Sequence, residues 1–68
     1  MKLAIGNKIK WVSAAGNLEG EIYNIVLDLN AAGKTIPWID IRVEDRSGMR
    51  MCATDDYLKM MKVEKVEA

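Results

Sequence analysis

The seven residues W-I-D-I-R-V-E at positions 38–44 carry the clearest structural signal in this chain. Aliphatic residues occupy positions 39, 41 and 43, and charged residues occupy positions 40, 42 and 44. Successive side chains of a β-strand point to opposite faces of the sheet, so this alternation predicts a strand with one buried and one solvated face. Trp38 shares the phase of the charged residues and is expected on the polar face. Pro37 has no N–H to donate and is expected at the beginning of the strand.

A hairpin and a short helical segment are predicted next along the chain. Residues 49–54 alternate again, and a turn at Ser47-Gly48 makes this strand the hairpin partner of the previous one. Thr54-Asp55-Asp56 is typical of a helix start, because side-chain oxygens there accept bonds from free backbone N–H groups. The residues that follow suffice for about one turn, for which we expect a 3₁₀ helix. Residues 61–66 predict a last strand.

Two further strands are predicted before position 30. Residues 8–12 predict a strand with Ile9 and Trp11 on one face and Lys8 and Lys10 on the other. Residues 18–29 predict a long second strand whose apolar phase moves from even to odd positions near Tyr23-Asn24. A phase change of one residue indicates a β-bulge. Gly20, inside this strand, is expected to allow a crossing strand to approach closely.

Short strands at regular spacing with one helical turn favour a single all-β domain over residues 1–68. Closure into a barrel removes the exposed edges that a small sheet cannot protect. The alternation of the strands predicts a core made of Ile9, Ile22, Ile25, Ile39, Ile41, Val43, Met51, Leu58 and Val63.

The first hairpin resembles a known family. Gly6-Asn7-Lys8-Ile9-Lys10-Trp11, followed by G-N-L-E-G-E-I at 16–22, looks like the KOW and Tudor type of SH3-like barrel. Asp56-Tyr57-Leu58 is similar to the 3₁₀ turn before the last strand of SH3 domains. The resemblance implies a five-stranded SH3-like barrel with one short 3₁₀ turn before the last strand. The chain lacks the acidic, tyrosine-rich loop and the tryptophan pair of proline-binding SH3 domains, so recognition of PxxP peptides is not implied.

Composition excludes several kinds of catalytic site. Histidine is absent and Cys52 is the only cysteine, so a zinc site, a Cys-His nucleophile and a Ser-His-Asp triad cannot form within one chain. The adjacent carboxylates of Asp55 and Asp56 are interpreted as helix-start residues in preference to an acid/base pair or a cation site. We therefore expect no catalytic residue, no metal and no cofactor. Cys52 without a disulfide partner, and the lack of a signal-peptide run, favour a cytoplasmic location.

Charge and hydropathy bear on the partners. Ten Lys and Arg residues balance ten Asp and Glu residues, and this zero net charge disfavours nucleic-acid binding, which needs attraction to phosphate. No apolar run approaches the length of about 18 residues that crosses a membrane, so no membrane association is expected. Five cations are interpreted either as a basic patch or, preferably, as an ordinary solvated surface: Lys8, Lys10, Lys59, Lys62 and Arg50.

The aromatic residues supply the candidate contacts, because small barrels of this type grip partners with surface aromatics. Trp11 has the phase of the core. Trp38 either anchors a partner or covers the barrel mouth under the segment from Asp28 to Lys34. The candidate partner-binding residues are Trp38, Tyr57, Tyr23 and Arg42.

Two functions remain open from the sequence. The preferred one is a small non-catalytic interaction module that binds a protein or peptide partner or self-associates as a homo-oligomer. The alternative is a KOW-like nucleic-acid or ribosome-associated binding module, for which the expected fold is suitable and the charge balance is not.

Overall fold

Five strands and one helix make up the part of the chain that the structure describes. The structure is a computed structural model, and it describes residues 2–43 and 48–66. The elements in chain order are β1 (Lys8–Ser13), β2 (Gly16–Leu29), β3 (Thr35–Arg42), β4 (Met49–Cys52), α1 (Asp55–Met60) and β5 (Glu64–Val66). The predicted predominance of β-structure, the five strands and a short helical segment before the last strand are confirmed. Glu44 and Ser47 of the predicted Ser47-Gly48 turn lie outside the described residues.

The strands form one antiparallel sheet in the order β4-β3-β2-β1-β5. Neighbours in the chain are mostly neighbours in the sheet, and β5 returns to pair with β1. Within the described residues β4 and β5 remain the two end strands, and their backbones do not join to close the sheet. The closed barrel expected from the sequence is therefore not found, although the strand count and the pairing of neighbours agree with the expectation.

The first turn is tight because serine and glycine complete it. Ser13 pairs with Gly16 at the end of the β1–β2 ladder. The Ser13 hydroxyl accepts a hydrogen bond from the backbone N–H of Ala15 at 3.1 Å and donates to the carbonyl of Gly16 at 2.9 Å. Gly16 has φ +105°, a conformation that residues with a Cβ rarely adopt. This arrangement is why the chain reverses within the predicted Ser13–Asn17 segment.

The predicted bulge in β2 is confirmed. Ile22 pairs with Ile41, but Asn24 pairs with Asp40, so Tyr23 is the extra residue. At about 3.3 Å per residue a straight strand of this length would measure about 46 Å. The longest dimension of the described chain is 33 Å, so β2 has to bend, and the bulge provides a bend.

Gly20 allows the close approach that was predicted for it. A Cβ at this position would collide with the side chain of Ile41 and would lie 2.9 Å from the carbonyl oxygen of Arg42. Both groups belong to β3, so the first half of β2 comes against β3 only because residue 20 has no side chain.

The core lies on one face of the sheet, which we call the inner face. Its buried members are Ile9, Trp11, Ile22, Ile39, Ile41, Val43, Met51, Leu58 and Val63. The prediction that Ile25 belongs to the core is wrong, because 38% of this residue is exposed. Its phase is correct, since it pairs with buried Ile39. However, β1 pairs with β2 only as far as Glu21. The second half of β2 therefore extends beyond the part of the sheet that packs against the core.

Pro37 lies inside β3 and not at its beginning. The strand starts at Thr35, and Pro37 pairs with Leu27. The Pro37 carbonyl accepts a hydrogen bond from the N–H of Ala53 at 2.9 Å, on the side away from β2. The N and O atoms of one strand residue point to the same side, so the missing N–H of Pro37 also faces away from β2. The β2–β3 ladder therefore loses no hydrogen bond.

The segment before β5 is an α-helix and not the predicted 3₁₀ turn. The N–H of Leu58 donates to the Thr54 carbonyl, and the N–H of Met61 donates to that of Tyr57, both at 3.0 Å and both four residues back. Burial of Leu58 holds the helix against the core. Lys62 then adopts φ +54° and ends the helix, so β5 begins at residue 64 and not at 61.

Candidate functional site

The far end of β2 and the start of β3 form a two-stranded extension, which we call the ribbon. It consists of β2 residues 24–29, β3 residues 35–38 and the turn between them. The turn is closed by Asn30, whose N–H donates to the carbonyl of Lys34 at 2.8 Å. The Asn30 side-chain oxygen accepts from the N–H groups of Ala32 and Lys34, both at 2.9 Å. These bonds hold the two strands of the ribbon in register.

The inner face of the ribbon carries an exposed aliphatic row. Ile25, Leu27 and Leu29 alternate along β2, and Leu27 and Leu29 are 74% and 61% exposed. Their phase was predicted from the sequence, but their exposure was not. The sequence does contain a signal for it: the apolar alternation continues for far longer in β2 than in β1, so a short partner strand cannot cover it all.

The opposite, outer face of the sheet holds Trp38. Its cross-strand neighbours are Val26 on β2 and Cys52 on β4. The ring is half-buried, and its Nε1–H donates to the carbonyl oxygen of Asp28 at 3.2 Å. Trp38 is therefore neither a fully exposed anchor nor a cap over the core. Asp28, which contacts it, belongs to β2 and not to a loop.

A charged cluster lies next to Trp38 on the outer face. Asp40 accepts two hydrogen bonds from Arg50, at 2.7 Å to Nε and 3.1 Å to Nη2, and a longer one of 3.4 Å from Asn24. Arg50 also reaches Asp28 at 3.3 Å. Asp40 was predicted to be solvated, but these partners bury it. The hydrogen bonds from Arg50 lower the pKa of Asp40 against the opposing effect of burial, so the carboxylate is held in its charged form.

Tyr23 and Arg42 meet at the other end of the same face. The guanidinium carbon of Arg42 lies 5.3 Å from the centre of the Tyr23 ring, within the range of a cation–π interaction. The bulge places Tyr23 here, because it is the unpaired residue between Ile22 and Asn24. Both side chains are exposed.

Tyr57, the fourth candidate residue, lies elsewhere. It is on α1, half-buried, and packs against the inner-face core. The structure thus brings Trp38, Tyr23 and Arg42 to one face of the sheet and separates Tyr57 from them. Leu27 and Leu29 are the exposed residues that the sequence-based set of candidates did not contain.

The predicted basic patch is divided in the structure. Lys8 and Lys10 lie on β1, whereas Arg50 lies on β4, at the far end of the strand order. Lys10 is 3.6 Å from Glu64, and Arg50 is paired with two aspartates. These interspersed carboxylates support the interpretation as an ordinary solvated surface.

An open groove of about 660 Å³ lies beside β1 and β5. Its rim alternates in charge, with Lys10, Glu19, Lys62 and Glu64 around Trp11. In residues 2–43 and 48–66, no three His, Cys, Asp or Glu side chains are close enough together to hold a metal ion. The groove therefore presents mixed charge without a concentrated ligand set.

Comparison with known proteins adds no further constraint. No family model, curated protein or solved structure matches this chain. In the described part of the chain, no helix has the length and hydropathy needed to cross a bilayer.

Proposed function

We propose that this chain is a small non-catalytic interaction module that binds protein through the ribbon. The observation that carries the proposal is the row of Ile25, Leu27 and Leu29, exposed side by side on one face of an ordered strand. Single exposed aliphatic residues are normal on a protein surface, but a contiguous row is typical of an interaction site. Covering one leucine fully contributes about 1.5–3 kcal/mol, so a partner that buries this row gains substantially.

The outer face supports the same proposal. Trp38, Tyr23 and Arg42 are of the residue types that are enriched at protein interfaces. The Asp40–Arg50 pair between them is already hydrogen-bonded, so a partner that covers it meets no unpaired charge. Both faces of the sheet near the ribbon are therefore suited to contact with another polypeptide.

We infer for the fold an SH3-like barrel of the KOW or Tudor type, and for the location the cytoplasm. The order of the strands and the helix immediately before β5 support the barrel. The single half-buried Cys52 supports a reducing compartment. Neither inference is needed for the binding proposal, which depends only on the ribbon.

The proposal is tested by selecting peptides from a displayed library on the immobilised protein and by sedimentation velocity of the protein alone. Amide chemical shifts should locate any contact on residues 24–29 and 35–38. Leu27→Ser should weaken the contact about tenfold or more, since tenfold corresponds to about 1.4 kcal/mol. The matched control is Val12→Ser, because Val12 is also an exposed strand residue but lies on β1.

Two results would overturn the proposal. One is the absence of any contact at the ribbon, either because the protein neither selects peptides nor associates with itself or because its contacts map only to the groove at Trp11. The other is tight binding to single-stranded or duplex nucleic acid that weakens steeply with salt, since that dependence reports phosphate contacts.

A further inference from the structure

One edge of the ribbon has no partner strand in the part of the chain that the structure describes. β1 covers this edge of β2 as far as Glu21, and the backbone groups of Gly6 and Asn7 continue the cover at Ile22, with bonds of 2.8 and 2.9 Å. Beyond the bulge, β2 pairs with β3 alone, and within residues 2–43 and 48–66 no strand lies along its other side. The segment from Ile25 to Leu29 is therefore a free strand edge.

The hydrogen-bonding pattern shows which backbone groups point to this edge. The bond from Asn30 N–H to the Lys34 carbonyl makes the even-numbered residues of β2 those that bond to β3. Pro37, which has no N–H, is opposite Leu27 and fits the non-bonded position. The N–H and C=O groups of Ile25, Leu27 and Leu29 consequently point outward. The Leu29 N–H donates to the side chain of Asp28 at 2.8 Å.

This edge differs from the other two edges of the sheet. Edge strands are usually protected by short length, charge or proline. β4 has four residues including Arg50, and β5 has three, of which two are charged. The segment 24–29 has no lysine and no proline, and Asp28, its only charged residue, points to the outer face towards Arg50. The edge of β2 therefore lacks the features that prevent pairing.

We propose that two copies of this chain pair antiparallel along this edge, with Leu27 of one copy opposite Leu27 of the other. The inference rests on the proposed function and names the partner. In this register Ile25 of each copy is opposite Leu29 of the second copy, so the two aliphatic rows join on the inner face. The N–H and C=O groups of Leu27 and the N–H of Ile25 gain partners, and the Ile25 carbonyl gains one when the Leu29 N–H of the second copy turns to it from the Asp28 side chain.

The charge pattern favours a second copy over an unrelated strand. Around a two-fold axis at Leu27, Asp28 is opposite Val26 of the second copy, so the two Asp28 carboxylates do not oppose each other. Each carboxylate also keeps its own Arg50 at 3.3 Å. The segment is thus self-complementary in side chains, in charge and in backbone groups, as a two-fold symmetric interface requires.

The register makes a prediction that a cysteine can test. Directly opposed residues of a hydrogen-bonded antiparallel pair have Cα atoms about 5.5 Å apart, which a disulfide can span. In a Cys52→Ala background, Leu27→Cys should therefore form a covalent dimer under mild oxidation. Val26→Cys is the matched control: residue 26 is opposite Asp28 of the second copy, so this variant should form no covalent dimer under the same conditions.

Association and hydrogen exchange complete the test. Wild-type protein should show a monomer–dimer equilibrium in sedimentation, and Leu27→Lys should weaken it about tenfold or more, because the axis places two lysines together. Met60→Lys, at another exposed apolar residue, should leave it unchanged. Exchange of the Ile25 and Leu27 amides should slow as concentration rises, whereas that of Val26, already bonded to β3, should not.

The outcomes separate this inference from the proposed function. A dimer that persists in Leu27→Lys and does not crosslink through Leu27→Cys overturns the register but keeps an interaction module. A protein that is monomeric throughout and binds library peptides on the ribbon overturns self-pairing alone. A monomer that binds no peptide overturns both.

Discussion

Ile41 and Ile25 form a matched pair of substitutions, since both are isoleucines on the inner face, in strands that pair with each other. Ile41 is fully buried between its cross-strand neighbours Ile22 and Met49. Ile41→Ala removes three carbon atoms, worth about 0.8 kcal/mol each in transfer free energy, and leaves a cavity, for a total cost of about 2–5 kcal/mol. At about 0.05–0.15 kcal/mol per residue the whole domain has only about 3–10 kcal/mol.

Ile25→Ala removes the same atoms from a side chain that is 38% exposed. Part of the transfer free energy was never gained there, and an open site leaves no closed cavity, so we expect a loss of about 1 kcal/mol or less. Ile41→Val, which removes one methyl group, should cost about 0.5–1.5 kcal/mol and remains measurable if Ile41→Ala does not fold.

Urea denaturation at low protein concentration, followed by circular dichroism and tryptophan fluorescence, measures all three variants. Low concentration keeps association through the ribbon out of the comparison. An equal loss of free energy of unfolding in Ile25→Ala and Ile41→Ala would contradict this expectation. That result would mean that the core extends along the whole of β2.

Three further predictions concern single contacts. Gly20→Ala should lower the free energy of unfolding by about 1–3 kcal/mol in urea titrations, because its Cβ has to displace β3; an unchanged midpoint would mean that the strands do not approach there. The lowered pKa of Asp40 stabilises the fold above the ordinary value of 3.8, and this contribution should disappear as pH falls through the folded pKa. Stability measured against pH should therefore fall less steeply on the acid side in Asp40→Asn and in Arg50→Gln than in the wild type, and equal slopes would contradict the pairing. Trp38→Phe keeps an aromatic side chain but loses the hydrogen bond to Asp28, so thermal melts should report a loss of at least about 0.5–1.5 kcal/mol, and an unchanged stability would contradict a contribution from that bond.

The alternation of side chains was sufficient to predict the phase of β1, β2, β3 and β4. The faces of β1 and β3, the bulge at Tyr23 and the role of Gly20 follow from local spacing, because the side-chain period of a strand is two residues wherever the strand lies. The same rule placed Trp38 and Arg42 together on the face opposite Ile39. Strand faces and bulges depend on the spacing of neighbouring residues, so a short stretch of sequence is enough to predict them.

The extent of burial depends on what lies beside each strand, and no local pattern contains that information. Ile25 has the phase of a core residue but is exposed, because β1 stops pairing at Glu21. Asp40 has the phase of a solvated residue but is buried, because Arg50 from β4 and Asn24 from β2 close over it. Both differences arise from contacts between residues far apart in the chain.

Alternation predicted the aliphatic row on β2, but the tertiary structure leaves that row exposed and one edge of its strand unpaired. Leu27 has the same apolar alternation as the buried isoleucines, and only the short reach of β1 separates their environments. The alternation of apolar residues determines which face of a strand is apolar. The lengths and pairing of the neighbouring strands determine which part of that face is exposed to solvent. The candidate interface exists because those two determinants disagree along residues 25–29.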